Sequence, residues 1–364
     1  MRKVFLATGG TGGHIYPALV TADELRRLGC EVFFVGSFGA AGDRIRGAGF
    51  ECFDVAVEGF VARSFLRRVR SAGAMACACA GCWGMIRRMR PSVVLGFGAY
   101  SSFPVVMSAV MGGIPSMLHE QNAVVGEANK FLAHFVQRVA VGFRETVDLF
   151  PAGKAVWTGN PSRSLEAVIS REAAHQALGL DPRRRTVLVF GGSQGSRVIN
   201  GTVVDAFANI PEFQVIHLTG PHDFERVKER YRLMGVPALV REYMEQMATA
   251  YAAADLVIAR AGAGTVTELG LLGIPAILIP YPGANDHQKY NARVLEKFGV
   301  ASIIEEKALR QNMLRDKISI AAEIDPLGTR RNKNRRILQN DFVNDGALRL
   351  AEELLRVADA GIVR

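Results

Sequence analysis

The chain has 364 residues, 49% of them hydrophobic, with a positive mean hydropathy and a formal net charge of +9. That length and composition suit two ordinary domains with buried cores, and so a folded globular protein rather than a charged, disordered one. The five cysteines (Cys30, Cys52, Cys77, Cys79, Cys82) are odd in number, which argues against a disulfide framework and for reduced thiols.

The start, MRKVFLATGG, reaches a Gly-rich turn after one strand's worth of apolar residues, with no export-signal core, so a cytosolic protein is expected. The Val4-Phe5-Leu6 run enters ATGGTGGHIYPAL, Ala7 to Leu19, and a helix is predicted from Ile15 to Leu28. EVFFVG reads as the next strand. Between Gly59 and Pro91 lie seven arginines (Arg63, Arg67, Arg68, Arg70, Arg87, Arg88 and Arg90) and no acidic residue. Aromatics are too sparse among them for a nucleic-acid site, so no nucleic-acid partner is expected. An anionic membrane surface or a phosphate-bearing lipid fits better, because the arginines flank the uncharged run Ser71 to Ile86. That run is about 24 Å long as a helix, too short for a ~30 Å hydrocarbon core. Two readings stand: a segment that lies on a membrane, or a core helix with solvated basic ends. Cys77, Cys79 and Cys82 fall within it. They lack a fourth metal ligand, and their Ala-rich surroundings read as small residues on a packed helix.

SVVLGFG, PSMLHE and RVAVGF continue the strand series. After the turn at Gly159 to Pro161 a second series follows: TVLVFGG, FQVIHLTG, ALVREY, LVIARAG, PAILIPY and VASII. Strands alternating with helical stretches predict parallel sheets with crossover helices. The fold class is therefore α/β, with two Rossmann-like doubly wound parallel-sheet domains facing a cleft. The expected boundaries are 1–162 for the first domain and 163–344 for the second, with an amphipathic C-terminal helix, about 345–364, packing back on the first. TRRNKNRR, Thr329 to Arg336, reads as a polar loop.

Each half opens with a strand, a Gly-rich turn and a helix: GGTGGH in the first, GGSQGSR (Gly191 to Arg197) in the second. Glycines there let backbone N–H groups approach an anion, and the helix dipole adds to the attraction. A dinucleotide enzyme is disfavoured, because Ile15 stands where the fingerprint wants its third glycine and no carboxylate ends the second strand. No GxxxxGK[ST] sequence occurs, which disfavours a nucleotide triphosphatase. The segment ARAGAGTVTELG places small residues at a helix start and Glu268 one turn in, where a carboxylate can accept two hydrogen bonds from a cis-diol such as ribose. Asn285, Asp286, His287, Gln288 and Asn291 then bring together the donors and acceptors a sugar requires. Turn residues capping two helices would explain some of these singly, but not the combination.

The motifs GGTGGHIYPAL, GFGAYSSFP, HEQN (His119 to Asn122), GNPSR (Gly159 to Arg163), GGSQGSR, RAGAGTVTE and NDHQKYNA, in that order and spacing, resemble the family of peptidoglycan N-acetylglucosaminyltransferases that convert lipid I to lipid II. The likeness runs from Ala7 to about Ile304. One departure is visible: the family favours two glycines before the tyrosine, and here they are Gly98 and Ala99.

The resemblance implies a two-domain GT-B fold, a UDP-N-acetylglucosamine donor in the second domain and the lipid I acceptor (undecaprenyl-pyrophosphoryl-muramyl-peptide) in the first. It assigns Ser193 and Arg163 to the pyrophosphate region, the Met244 backbone to uracil, and Glu268 to ribose. Ala263, Gly264, Thr265, Val266 and Thr267 would form the helix start beneath the pyrophosphate. Gln288 would hold the sugar hydroxyls with Asn291 nearby, and Thr11, Gly12, Gly13 and Asn122 would complete the site from the first domain. Gly98, Ala99, Tyr100 and Ser101 would meet the acceptor.

The implied reaction inverts the anomeric carbon and needs a base. His14 is the first candidate, its ordinary pKa being near neutral; a purely loop-shaping histidine is the alternative, and Glu120 is the rival base. No Asp-x-Asp sequence is present, so no catalytic metal and no cofactor are expected. Phe65, Leu66, Arg67, Arg68, Val69 and Trp83 form the expected docking face for the cytoplasmic side of the cell membrane. A diacylglycerol glycosyltransferase and a UDP-N-acetylglucosamine epimerase remain as rivals, and a non-catalytic sugar-nucleotide binding module is a third.

Overall fold

The computed structural model describes residues 1–9, 12–39, 41–55, 65–98, 100–162, 169–208, 210, 212–283, 286–324 and 330–362. The chain divides into two units, Met1–Arg163 with Val343–Arg364, and Ser164–Phe342.

In the first unit the elements run β1 (Arg2–Gly9), α1 (Gly12–Arg27), β2 (Cys30–Ser37), α2 (Ala41–Gly47), β3 (Glu51–Asp54) and α3 (Phe65–Met89). They continue as β4 (Val93–Gly96), α4 (Ser102–Met111), β5 (Ser116–Glu120), α5 (Glu127–Leu132), β6 (Arg138–Val141) and β7 (Ala155–Trp157). The sheet is parallel throughout, in the order β3-β2-β1-β4-β5-β6-β7. Both faces are covered, which is why its central strands read as unbroken apolar runs rather than as alternations. Val4 and Leu6 face a core with Ile15, Ala18, Ala22 and Leu25 of α1, while Phe5 and Ala7 face one with Val105, Val106 and Ala109 of α4.

The second unit holds α6 (Arg171–Leu178), β8 (Arg185–Phe190), α7 (Arg197–Ala206), β9 (Phe213–Leu218), α8 (Phe224–Leu233), β10 (Ala238–Arg241) and α9 (Met247–Ala253). Then follow β11 (Leu256–Ala259), α10 (Ala263–Leu272), β12 (Ala276–Leu278), α11 (His287–Glu296), β13 (Ala301–Ile303), α12 (Gln311–Ile324) and α13 (Arg330–Leu338). Its sheet, also parallel, has the order β10-β9-β8-β11-β12-β13. The expected α/β class with two doubly wound parallel sheets is what the structure has. Two short strands escape the sequence reading: β3 and β7 are edge strands of four and three residues, with too little apolar length to register.

One expectation is overturned. The basic segment read as a loop is the helix α13 from Arg330 onward. It lacks apolar periodicity because polar contacts hold it: Nε of Arg331 and of Arg335 donates to Leu272 O at 3.1 and 3.0 Å, and Asn334 Nδ2 donates to Gly273 O at 3.0 Å. These donors meet the unpaired carbonyls and the negative end of the dipole at the C-terminus of α10, so cations there stabilise both helices. Burial lowers the Arg331 pKa to about 10, still leaving it charged near neutral pH.

The last helix, α14 (Gly346–Ile362), returns to the first unit. Its Leu350, Ala351, Leu354, Val357 and Ala358 join the core lined by α1. Leu354 is fully buried, so Leu354→Ala is expected to cost about 2–5 kcal/mol through lost transfer energy and a residual cavity. Urea denaturation followed by a probe in the first unit, such as Trp83 fluorescence, should show the loss.

Candidate functional site

Both sheets place their Gly-rich turns where the strand order reverses. β1 lies beside β4 and β8 beside β11, and the chain leaves these pairs toward opposite faces, which opens a crevice at the carboxyl ends.

In the first unit, Ser101 Oγ donates to Thr8 O at 3.2 Å and so ties the loop after β4 to the end of β1. His14, in the first turn of α1, is half-buried, with Nδ1 2.8 Å from Phe97 O and 3.2 Å from Gln121 Nε2. A carbonyl only accepts, so the shorter Phe97 contact takes a proton on Nδ1 and leaves the lone pair of the neutral ring on Nε2; the longer Gln121 amide-nitrogen contact would be a hydrogen bond only in the other tautomer. Gly98 has φ of +80°, and a Cβ there would come within 2.8 Å of Asn129 Nδ2. Tyr100 is exposed and Ser101 buried.

The HEQN segment ends β5. Glu120 is buried, and its two oxygens accept four hydrogen bonds: from Asn122 N and Nδ2 at 2.9 and 3.1 Å, from Gly126 N at 3.0 Å, and from Asn129 Nδ2 at 2.8 Å. With about four lone-pair sites on a carboxylate, this is full occupancy. The arrangement gives Glu120 the work of shaping the loop from Asn122 to Asn129. Asn122 turns its side chain inward to Glu120.

In the second unit, Ser193 is exposed in the turn between β8 and α7. Gly195, with φ of +74°, lies so close to the next loop that a Cβ would collide with the Thr219 carbonyl oxygen. Ser196 caps α7, its Oγ accepting from Ile199 N and from Arg260 Nη2. Arg260 also donates to Ile279 O and Pro280 O and pairs with Glu306, so one buried guanidinium joins four segments. Helix α10 starts at Ala263 with Gly262 as its N-cap and no side-chain cap, so its first N–H groups have no side-chain acceptor from the cap. Gly264 is exposed and Thr265 half-buried, while Ala263, Val266 and Thr267 are buried beneath them. Glu268 is half-buried, and its Oε2 accepts from Tyr251 OH at 2.7 Å. Gln288 Oε1 accepts from the Ala261 and Tyr281 N–H groups at 3.1 and 3.0 Å. That orients its amide nitrogen as the donor end. Met244 is half-buried in the turn between β10 and α9.

Asn291 is fully buried and donates to Ala261 O at 3.2 Å, so it supports the backbone that Gln288 also holds. Thr11, Ala99, Arg163 and Asn285 lie outside the described residues, as do the side chains of Phe65, Leu66, Arg67, Arg68 and Val69 within α3. Gly12 opens α1 with Gly13 exposed behind it, and Trp83 is half-buried on α3 under Arg87, whose guanidinium carbon is 5.5 Å from the ring centroid. Cys77, Cys79 and Cys82 are exposed, half-buried and buried on that helix, and burial pushes the Cys82 thiol up to about 11. Among the described residues, no cluster of His, Cys, Asp or Glu is placed to hold a metal ion, and no helix is long and apolar enough to cross a membrane. Sequence reading missed Tyr251, Arg260, Gln121 and Asn129 as site residues. Arg260 sits inside a quoted motif, but Tyr251 stands alone in an Ala-rich stretch and gives no signal.

This architecture is that of a glycosyltransferase. Residues 4–141 match the glycosyltransferase family 28 N-terminal domain, and residues 186–342 its C-terminal domain. The chain is 40% identical over 317 residues to the UDP-N-acetylglucosamine--N-acetylmuramyl-(pentapeptide) pyrophosphoryl-undecaprenol N-acetylglucosamine transferase of Nitratidesulfovibrio vulgaris strain DP4, covering 84% of this chain and 85% of that one. A relative of the same name from Halothermothrix orenii is 39% identical over 326 residues, covering 86% and 88%. The crystal structure of Acinetobacter baumannii MurG superposes with a TM-score of 0.80 at 25% identity, over 98% of this chain and all of that one. The chain belongs to this family of N-acetylglucosamine transferases.

Two buried histidines bear on stability. Burial lowers the pKa of His119, at the end of β5, to about 3 against the opposing pull of the Gly159 backbone, with nearby His14 lowering it further. Burial likewise lowers His217 to about 3, opposed by Asp223; its nitrogens meet Tyr231 OH and Asn200 Oδ1 at 3.0 and 3.1 Å. In the unfolded chain each ring takes a proton near pH 6.5, so below that the unfolded state binds more protons and stability falls toward pH 3. Urea titrations at pH 7 and pH 5 should show a loss of about 1 kcal/mol per pH unit for each ring. His217→Gln should flatten that dependence in the second unit.

Proposed function

We propose that this enzyme catalyses the reaction for which its relatives are named: transfer of N-acetylglucosamine from UDP-N-acetylglucosamine to the C4 hydroxyl of the muramyl sugar of lipid I, with inversion at the anomeric carbon. The O–H bond of the C4 hydroxyl breaks as its oxygen attacks the anomeric carbon, the new glycosidic bond forms, and the bond from that carbon to the diphosphate oxygen breaks so that UDP leaves with the bonding pair. A base must take the hydroxyl proton. The observation that carries the assignment to His14 is its 2.8 Å contact with Phe97 O, which sets the tautomer a base requires. Glu120, with its four donors, is the weaker candidate and acts as a positioning residue.

On the donor side, the exposed turn at Ser193 and the uncapped start of α10 offer N–H groups and dipole to the diphosphate as negative charge grows on it. Glu268 binds the ribose diol, the Met244 backbone the uracil, Gln288 Nε2 a sugar hydroxyl, and Arg163 the pyrophosphate region. Thr11, Gly12, Gly13 and Asn122 serve the donor from the first unit. Gly98, Ala99, Tyr100 and Ser101 receive the acceptor. No metal is required for the departure of UDP.

Incubation with labelled UDP-N-acetylglucosamine and a lipid I analogue tests the reaction. Label in the lipid product supports it; a released epimer, or transfer only to diacylglycerol, overturns it. His14→Ala should lower kcat by about 100-fold or more, a usual scale for a general base, with KM for the donor within about threefold. Near-normal turnover would remove His14 from the role.

The lipid-linked acceptor requires a peripheral visit to the cytoplasmic membrane surface. The N-terminal part of α3, with Phe65, Leu66, Arg67, Arg68 and Val69, is the docking face, continued by Trp83 and Arg87. Binding to vesicles containing anionic lipid should weaken as salt rises and when Arg67 and Arg68 become glutamine. Binding indifferent to both would remove the electrostatic contribution.

A further inference from the structure

We propose that Tyr251 fixes the pose of the Glu268 carboxylate and thereby sets the preference of the donor site for a ribonucleotide over a 2′-deoxyribonucleotide. The inference rests on the reading of Glu268 as the ribose ligand.

Tyr251 lies on α9 and is almost fully buried, yet it carries a polar hydroxyl. A buried phenol needs a partner, and here the O–H donates to Glu268 Oε2 at 2.7 Å, a charge-assisted bond stronger than one between neutral groups. The rest of the residue is held from two further directions. Its ring meets Phe190, the last residue of β8, edge-on with centroids 6.2 Å apart and planes at 75°. Its carbonyl accepts from Arg331 Nη1 at 3.2 Å, while Nε of the same arginine donates to Leu272 O at the end of α10. Tyr251 therefore joins the strand that leads into the phosphate turn, the helix that carries Glu268, and the arginine that closes that helix.

A half-exposed glutamate has three torsions and, left alone, turns its carboxylate freely. Recognition of a cis-diol needs both oxygens aimed at two adjacent hydroxyls. The Tyr251 donor selects the carboxylate plane, and it takes one of about four lone-pair sites on the carboxylate. A rigid acceptor discriminates more than a mobile one. When a substrate lacks the 2′-hydroxyl, a carboxylate that can swing recovers by re-aiming at the remaining hydroxyl, whereas a held one is left short of a partner.

The test is steady-state kinetics of the full-length enzyme with UDP-N-acetylglucosamine and its 2′-deoxyuridine analogue, for the parent, Tyr251→Phe, Glu268→Gln and the double variant. Tyr251→Phe, which keeps the ring, should raise KM for UDP-N-acetylglucosamine about five- to tenfold with kcat within about twofold, and should cut the ribo-to-deoxy preference about threefold or more. In the Glu268→Gln background the same substitution should cost clearly less, because the bond it removes is already weakened. The proposal is overturned if Tyr251→Phe keeps the parent KM and preference while Glu268→Gln loses both. It is also overturned if the loss is equal in the two backgrounds, as a packing defect alone would give. If Glu268→Gln keeps the full ribo preference, the ribose reading itself fails and this inference falls with it.

Discussion

The constraint on which the rest depends is the reversal of strand order beside β1 and β8. In each sheet the first strand lies in the interior, so the chain must cross to one face after it and to the other face after the strand that pairs with its far side. α1 and α4 accordingly enter different cores, on opposite faces of the first sheet. The carboxyl edge of each sheet carries two of the motif turns: those after β1 and β4 in the first unit, and those after β8 and β11 in the second. Parallel strands about 4.8 Å apart also bring their turns into close approach. That closeness is why Gly195 cannot carry a side chain against Thr219, and why Ser101 reaches Thr8 with a single oxygen.

Within these turns the polar side chains are set before any substrate arrives. Glu120 is held by four donors, Gln288 by two backbone N–H groups and His14 by a backbone carbonyl. Each bond satisfies a group that would otherwise lose hydration without return, and each also removes rotamer freedom. The entropy is spent in folding and not at the moment of reaction. Asn129 shows how economical the network is: its amide nitrogen both serves Glu120 and lies against Gly98, so one side chain links the HEQN segment to the turn after β4.

Sequence alone reveals the fold class because fully covered parallel strands leave long apolar runs such as VFLA and LVIA, and because glycine at a strand end has a backbone reason to be there. It also marks the turns that form each site. What it conceals follows from physics that leaves no periodic trace. β3 and β7 are edge strands too short to show a pattern. α13 carries arginines and asparagines whose partners are carbonyls 59 to 63 residues away in sequence, so a helix reads as a solvated loop. Asn291 and Gln288 look alike as sugar ligands, yet one is sealed under Ala261 and the other is half-exposed. Burial separates them, and burial is a property of the fold.

The return of α14 gives the first unit a discontinuous sequence. Leu350, Leu354 and Val357 complete a core whose other walls, α1 and the central strands, precede them by more than two hundred positions. During synthesis the half of the molecule that is made first is therefore the half that finishes last, its α1 face open until the second unit has been translated. The second unit, encoded as one uninterrupted stretch from Ser164 to Phe342, has all its contacts available earlier. Order of emergence and order of completion run in opposite directions, and a growing chain must keep an apolar face from aggregating for nearly the whole of its time on the ribosome.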